Sequence, residues 1–219
     1  MKAFRSRGVS QDHFLAAYDD GIDLLACFGS AGTGKTFLSF YRALLDVFRG
    51  EKERLIIVRS AVETRPIGFL PGTLSEKQEV WEAPYASLSS EAMVYKEPWH
   101  TLKTLGYIEF YLTSFVRGIT FKPNSIILVD EVQNMDYPEI FSVLTRAGEG
   151  SRVLLCGDSK SLQCDLHRKR NEVSCFEKLE RLLEAMQAGT SEIVRFGPED
   201  VVRSALVRNI ILADEKLGH

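Results

Sequence analysis

Eight consecutive residues carry the clearest chemistry in the sequence: Gly29-Ser30-Ala31-Gly32-Thr33-Gly34-Lys35-Thr36. They fit G-x-x-x-x-G-K-[ST], a loop that wraps phosphate groups. Glycines let successive backbone N–H groups turn inward around phosphate oxygens. A helix that starts there aims its N-terminus at the same anion. Lys35 is then placed for the β and γ phosphates of a nucleoside triphosphate, and Thr36 for a Mg²⁺ ion. An ordinary glycine-rich turn before a helix requires neither the Lys nor the Thr.

A second group of residues completes such a site. Ile126-Ile127-Leu128-Val129 is an apolar run that ends in Asp130-Glu131. Asp130 is expected to hold Mg²⁺ through water, and Glu131 to polarise the attacking water. Without the phosphate loop the same pair reads as a strand stopping at a charged turn. Gln133 is a candidate for sensing the γ phosphate or touching a nucleic-acid strand, and Asn134 for supporting the turn. Gly157-Asp158 closes another apolar run, so Asp158 and Gln163 are candidate γ-phosphate sensors, against a plain Gly-Asp turn. The amide of Gln11 can donate to and accept from an adenine edge. No Asn-Lys-x-Asp guanine-reading segment appears later in the chain. Arg59, Arg117 and Arg203 are candidates for neutralising charge on the transferring phosphoryl group, against simple surface charge.

These residues need a scaffold that alternates strands and helices. Residues 24–28, 55–58, 126–129 and 153–156 are short apolar runs of the kind buried in parallel sheets. Residues 107–111 and 192–196 are further strand candidates. Helices are expected over 10–18, 36–48 and 173–188, the last burying Phe176, Leu179, Leu182, Leu183 and Met186. Asp136, Pro138 and Glu139 form a helix start with a capping box, and that helix is expected to run to about residue 148. Pro66, Gly68, Pro71 and Gly72 make 65–73 a loop, and 74–92 one or two helices. The expected fold class is therefore α/β, with a mostly parallel sheet flanked by helices. One domain over 1–219 is expected, with a loop and helix elaboration at about 63–106 that offers a substrate surface.

Composition narrows the function classes. A net charge of −3 over 219 residues gives no global basic field for nucleic acid, although a local patch is compatible with it. No apolar run approaches the roughly 20 residues of a membrane helix. The basic start, Met1 to Arg7, lacks the apolar segment of a secretory signal. Cys27 and Cys156 sit in apolar runs and read as reduced core residues. Cys164 and Cys175 lack zinc-ligand spacing, although Cys164 lies near His167. The cytoplasm is the expected compartment.

The segments together resemble the PhoH family of P-loop ATPases, found in bacteria and many phages. The likeness spans most of the chain: Gly29 to Thr36, Arg59-Ser60-Ala61-Val62-Glu63, and Gly68-Phe69-Leu70-Pro71-Gly72. It continues through Phe115-Val116-Arg117-Gly118, Val129-Asp130-Glu131-Val132-Gln133-Asn134, Leu144-Thr145-Arg146 and Asp200-Val201-Val202-Arg203. The compact length looks like the phage type, active in a host cytoplasm. The resemblance implies a fold similar to the first motor domain of superfamily 1 helicases, with ATP and Mg²⁺ as cofactors. It implies Gln11 at adenine, Glu131 as base, Gln163 at the γ phosphate, and Arg203 or Arg117 as an arginine finger. It also implies a homohexameric ring in which a neighbour closes the site. Two departures stand out: Gly157-Asp158 is separated from Gln163 by two extra residues, and Val132 replaces the usual Ala.

The leading expectation is Mg²⁺-dependent ATP hydrolysis coupled to RNA or single-stranded nucleic acid. The alternative is a nucleotide-gated oligomeric assembly or regulatory protein with slow turnover and a protein partner. A P-loop kinase is a third class, disfavoured by the Asp130-Glu131 pair.

Overall fold

The computed structural model describes residues 1–60, 74–158 and 175–217. Its centre is a parallel sheet of strands β1 (Leu24–Gly29), β2 (Arg54–Arg59), β3 (Ile108–Leu112), β4 (Ser125–Asp130), β5 (Arg152–Gly157) and β6 (Ser191–Phe196). Their spatial order is β3-β2-β4-β5-β1-β6. Strand β5 lies between β1 and β4, in register with both: Leu25 pairs with Leu154, and Leu128 with Leu154 from the other side.

The central strands are apolar end to end because both faces are covered. Strands β1 and β4 are buried at every position. Alternate residues feed two separate cores. Leu25, Cys27, Ile57, Leu128 and Cys156 face helices α1 (Val9–Asp19), α2 (Lys35–Arg49), α3 (Leu74–Ala92) and α4 (Pro98–Thr104). Ala26, Phe28, Val58, Val129 and Leu155 face α5 (Thr113–Val116), α6 (Tyr137–Leu144) and α7 (Phe176–Ala185). A last helix, α8 (Ala205–Lys216), leaves Leu206 and Ile210 largely exposed.

The expected α/β architecture is present, with local corrections. Helix α6 starts with the expected capping box: Asp136 accepts from the Glu139 N–H at 2.7 Å, and Glu139 accepts from the Asp136 N–H at 3.1 Å. It ends at Leu144 rather than near residue 148, since Gly148 is needed where the chain passes Phe121 and Pro123. A Cβ there would lie 2.8 Å from backbone. Met186 caps α7 in an extended conformation instead of continuing it. Two short helices, α4 and α5, are additions to the expected pattern. Helices α3 and α4 occupy the described part of 63–106. The expected loop at 65–73, the Gly68 to Gly72 run, Gln163, Cys164 and His167 lie outside the described residues.

Candidate active site

The phosphate loop connects β1 to α2 at the carboxyl end of the sheet. Three of its glycines have the positive φ that the wrapping geometry requires: Gly29 at 140°, Gly32 at 76° and Gly34 at 86°. Gly29 also has no room for a side chain, because a Cβ would fall 1.8 Å from the Phe196 carbonyl oxygen on β6. Lys35 bends back over the loop and donates to the carbonyls of Gly29 at 2.9 Å and Ser30 at 2.7 Å. The Thr33 hydroxyl ties the turn to the Ser30 carbonyl at 2.9 Å. Ser30 is buried at the loop's start, while Ala31 faces the cavity.

Two neighbouring segments brace the loop from outside. The Gln11 side chain accepts from the Arg7 N–H at 2.9 Å and donates to the Thr33 carbonyl at 3.1 Å. The residue expected at an adenine edge thus has both amide atoms engaged with backbone of its own chain. On the other flank the Val202 N–H donates to the Gly32 carbonyl at 3.1 Å. That bond lays Arg203 against Gly32, beside its own loop.

The carboxylates arrive at the end of β4. Asp130 Oδ1 accepts from the Thr36 hydroxyl at 2.9 Å, and Oδ2 accepts from the Tyr85 hydroxyl at 2.9 Å. Glu131 then takes φ of 56°, a left-handed conformation unusual for a glutamate and costing about 1–3 kcal/mol. The turn lets two consecutive residues serve one cavity. Burial, with Asp130 adding repulsion, raises the Glu131 carboxyl above its ordinary range, against the pull of Arg59, Gln133 and Lys35. Gln133 links the elements: its amide donates to Glu131 at 2.5 Å, and its oxygen accepts from the Asp158 N–H at 3.0 Å. Gly157 permits that approach, since a Cβ there would meet Val132 at 2.4 Å. The departure at Val132 is therefore accommodated by glycine on β5.

A cavity of about 750 Å³ opens over these groups and is lined by Gln11, Lys35, Thr36, Asp130, Glu131 and Arg203, among others. Its farther wall holds Phe4, Phe37 and Tyr41, whose rings cluster at 5.3–6.1 Å. The wrapped loop and the Thr36–Asp130 pair fit a Mg²⁺-bound nucleoside triphosphate, a ligand that draws most metal ligands from phosphates and water. The described residues contain no cluster of three His, Cys, Asp or Glu side chains around a metal position.

Arg117 is elsewhere. It is exposed just beyond α5, which follows the edge strand β3. Strand β3 lies four places from β1 in the sheet, about 19 Å at the usual strand spacing. It does not line the cavity of its own chain. Sequence reasoning missed Phe4, Phe37 and Tyr41, and also Tyr85 and Arg59 as partners of the carboxylates. In the sequence Arg59 stands only as one of several arginines. It pairs with Asp130 in register across β2 and β4. Burial alone would lower its guanidinium, but Tyr85, Asp130 and Glu131 outweigh that and hold it above its ordinary value.

Comparison with known families agrees with this geometry. The model of the family described as PhoH-like protein matches residues 3–215. The chain belongs to the PhoH-like family. It carries that family's P-loop ATPase domain. Protein PhoH of Escherichia coli K12 is 33% identical over 214 residues, covering 95% of this chain and 57% of the relative. The PhoH-like protein of Bacillus subtilis is 31% identical over 216 residues, covering 98% of this chain and 65% of the relative. The chain thus spans under two thirds of the length of these relatives. Among solved structures, the large terminase of a thermophilic bacteriophage in complex with ADP has a TM-score of 0.53 at 14% identity. That match covers 92% of this chain and 48% of the terminase, a likeness of fold. No described helix is long and apolar enough to cross a membrane.

Proposed function

We propose that this PhoH-like domain hydrolyses ATP with Mg²⁺ in the cytoplasm and couples turnover to RNA or single-stranded nucleic acid. The observation that carries the hydrolysis is Glu131, held in a strained left-handed turn immediately after Asp130 and tied through Gln133 to the end of β5. A carboxylate whose proton affinity is raised by burial is suited to accept a proton from an attacking water. Lys35 leaves its two carbonyl partners to bind the β and γ phosphates. Thr36 and Asp130 would hold a Mg²⁺ ion, which would supply charge neutralisation at the phosphates. Gln133 positions Glu131 and reports the state of the γ phosphate to Asp158. Gln163 is assigned to the same phosphate by the family motif.

Arg203 serves its own site, and Arg117 the site of a neighbouring copy in a homohexameric ring. Supporting this division, Arg203 lies against Gly32 of its own loop while Arg117 is exposed at the opposite sheet edge. The alternative, a nucleotide-gated assembly with slow turnover, draws on α8, where Leu206 is 70% and Ile210 58% exposed. Phosphate release from ATP, with and without single-stranded RNA or DNA, separates the two. Strand-stimulated release is the expected result. Turnover indifferent to both strands would move the function to the assembly reading. A Glu131→Gln preparation provides the blank.

A further inference from the structure

Tyr85 is a side chain from outside the phosphate-loop motifs that is bonded to a metal-binding residue. It sits on α3, the helix that follows residues 61–73, and is fully buried. Its hydroxyl donates to Asp130 Oδ2 while the Thr36 hydroxyl occupies Oδ1, both at 2.9 Å. Each carboxylate oxygen of Asp130 thus holds one hydroxyl donor, which fixes the rotation of the group. Trp81, one turn earlier on the same face of α3, lies under the Arg59 guanidinium with 5.6 Å from ring centre to carbon. Leu88, a further turn along, lines the cavity itself.

Helix α3 is held firmly enough for this to matter. Glu82 is buried and accepts from Trp99 Nε1 at 2.8 Å, from Lys103 Nζ at 2.7 Å and from Gln78 Nε2 at 2.9 Å. That network locks α3 to α4. The Tyr85 ring then packs on Trp99 and Phe110, with centroids at 6.2 and 5.6 Å. A buried polar hydroxyl in such a setting is costly unless it is paired, and here its partner is the metal carboxylate.

We propose that Tyr85 is a positioning residue for the Mg²⁺ site: its hydroxyl orients Asp130, so the α3–α4 elaboration is part of the machinery that binds the metal–nucleotide complex. The inference rests on the assignment of Asp130 as a Mg²⁺ ligand. Partners of metal-binding groups typically change metal affinity by about tenfold to hundredfold when removed.

The test replaces Tyr85→Phe, which keeps the ring on Trp99 and Phe110 and deletes the hydroxyl with its bonds to Asp130 and Arg59. Mn²⁺ binding in the presence of ADP, read by electron paramagnetic resonance, should weaken about tenfold. The Mg²⁺ concentration for half-maximal phosphate release should rise by a similar factor. ADP affinity measured without divalent metal should stay at the parental value, which a general loosening of the fold would not allow. Replacing Tyr85 with 4-aminophenylalanine, which restores a donor on the same ring, should recover metal affinity. If Tyr85→Phe does not fold, 4-fluorophenylalanine fills the hydroxyl's volume without a donor and takes its place. Parental Mn²⁺ affinity in the donor-free protein would overturn the proposal. So would a metal-free ADP affinity that falls in parallel. Loss of Mn²⁺ binding by ADP-loaded parental protein would instead overturn the Mg²⁺-site assignment, and the proposal with it.

Discussion

Thr36 Oγ1 lies 2.9 Å from Asp130 Oδ1, although 94 residues separate them in sequence. The strands that deliver them are not neighbours. Strand β5 runs between β1 and β4, so the contact is made over its carboxyl end. There Gly157 closes the strand and Asp158 donates its N–H to Gln133. Glu131 and its amide partner Gln133 line the same cavity beside that contact.

The different tasks of Glu131 and Lys35 predict separable defects. Glu131→Gln keeps the hydrogen-bonding shape and removes the base. ATP affinity should stay close to parental, while phosphate release falls by about 10²–10⁴. Lys35→Ala removes the phosphate-binding cation and should weaken ATP binding itself. Equilibrium binding of a fluorescent ATP analogue and single-turnover hydrolysis distinguish the two. Parental turnover by Glu131→Gln would remove the residue from the mechanism.

Gly29 joins the loop to the sheet edge, and its substitution tests fold and site together. Its φ of 140° and the carbonyl of Phe196 leave no place for a methyl group. The neighbouring Ser30 N–H donates to that same carbonyl at 3.0 Å, so the methyl group would also break this link. Gly29→Ala should destabilise the domain by about 2 kcal/mol or more, seen as a lower denaturant midpoint. Nucleotide should restore little of the loss, because the loop itself is displaced.

Gln11 gives a different signature. Its amide already serves the Arg7 N–H and the Thr33 carbonyl, so its removal frees the loop rather than one base edge. Gln11→Ala should weaken ATP and GTP by the same factor, about tenfold, as two neutral hydrogen bonds are lost. Titration of both nucleotides against the variant provides the check. A loss confined to ATP would return Gln11 to the adenine edge.

At the opposite end of the sheet a buried tyrosine should govern alkaline stability. Tyr18 donates to Asp46 at 2.6 Å, and the guanidiniums of Arg42 and Arg152 lie 4.7 and 4.2 Å from its ring centre. Burial, then the bond to Asp46, pushes its hydroxyl far above the ordinary value of 10.0. The folded state therefore keeps a proton that the unfolded chain loses. Its contribution is complete below about pH 10 and declines as pH rises beyond it, by about 1.4 kcal/mol per pH unit for one group. Tyr18→Phe should flatten the fall in unfolding free energy between about pH 10 and 11 by that slope. An unchanged slope would show that the proton is not retained on folding.

Much of the site was legible because its chemistry is local in sequence. The phosphate loop is one run of eight residues, and Asp130-Glu131 follows an apolar strand that announces itself by composition. Alternation of apolar runs with helical stretches was enough for the parallel sheet. What escaped was whatever depends on tertiary approach. Tyr85 sits in a helix with an internal proline, Pro84, and no spacing motif marks it. It becomes a site residue only because α3 crosses the end of β4. The aromatic wall of Phe4, Phe37 and Tyr41 draws on residues before α1 and within α2, which no single window joins. Helix α6 stopped early because Gly148 packs on a distant loop, a constraint invisible to local periodicity.

The two arginines make opposite predictions in mixed assemblies. Arg203, though exposed, lies beside Gly32 and lines the cavity of its own chain, whereas Arg117 is exposed at the far edge of the sheet. An Arg117→Ala protein retains its own base, and a Glu131→Gln neighbour retains its own Arg117. Co-assembled, the first supplies the active site and the second the finger, so turnover should recover to a measurable fraction of parental. Arg203→Ala mixed with Glu131→Gln should stay inactive, because each site then lacks a group that only its own chain supplies. Differential tags verify that mixed oligomers are present before phosphate release is read. Recovery with Arg203→Ala and none with Arg117→Ala would reverse the roles. No recovery from either, in verified mixed oligomers, would leave hydrolysis to each chain alone.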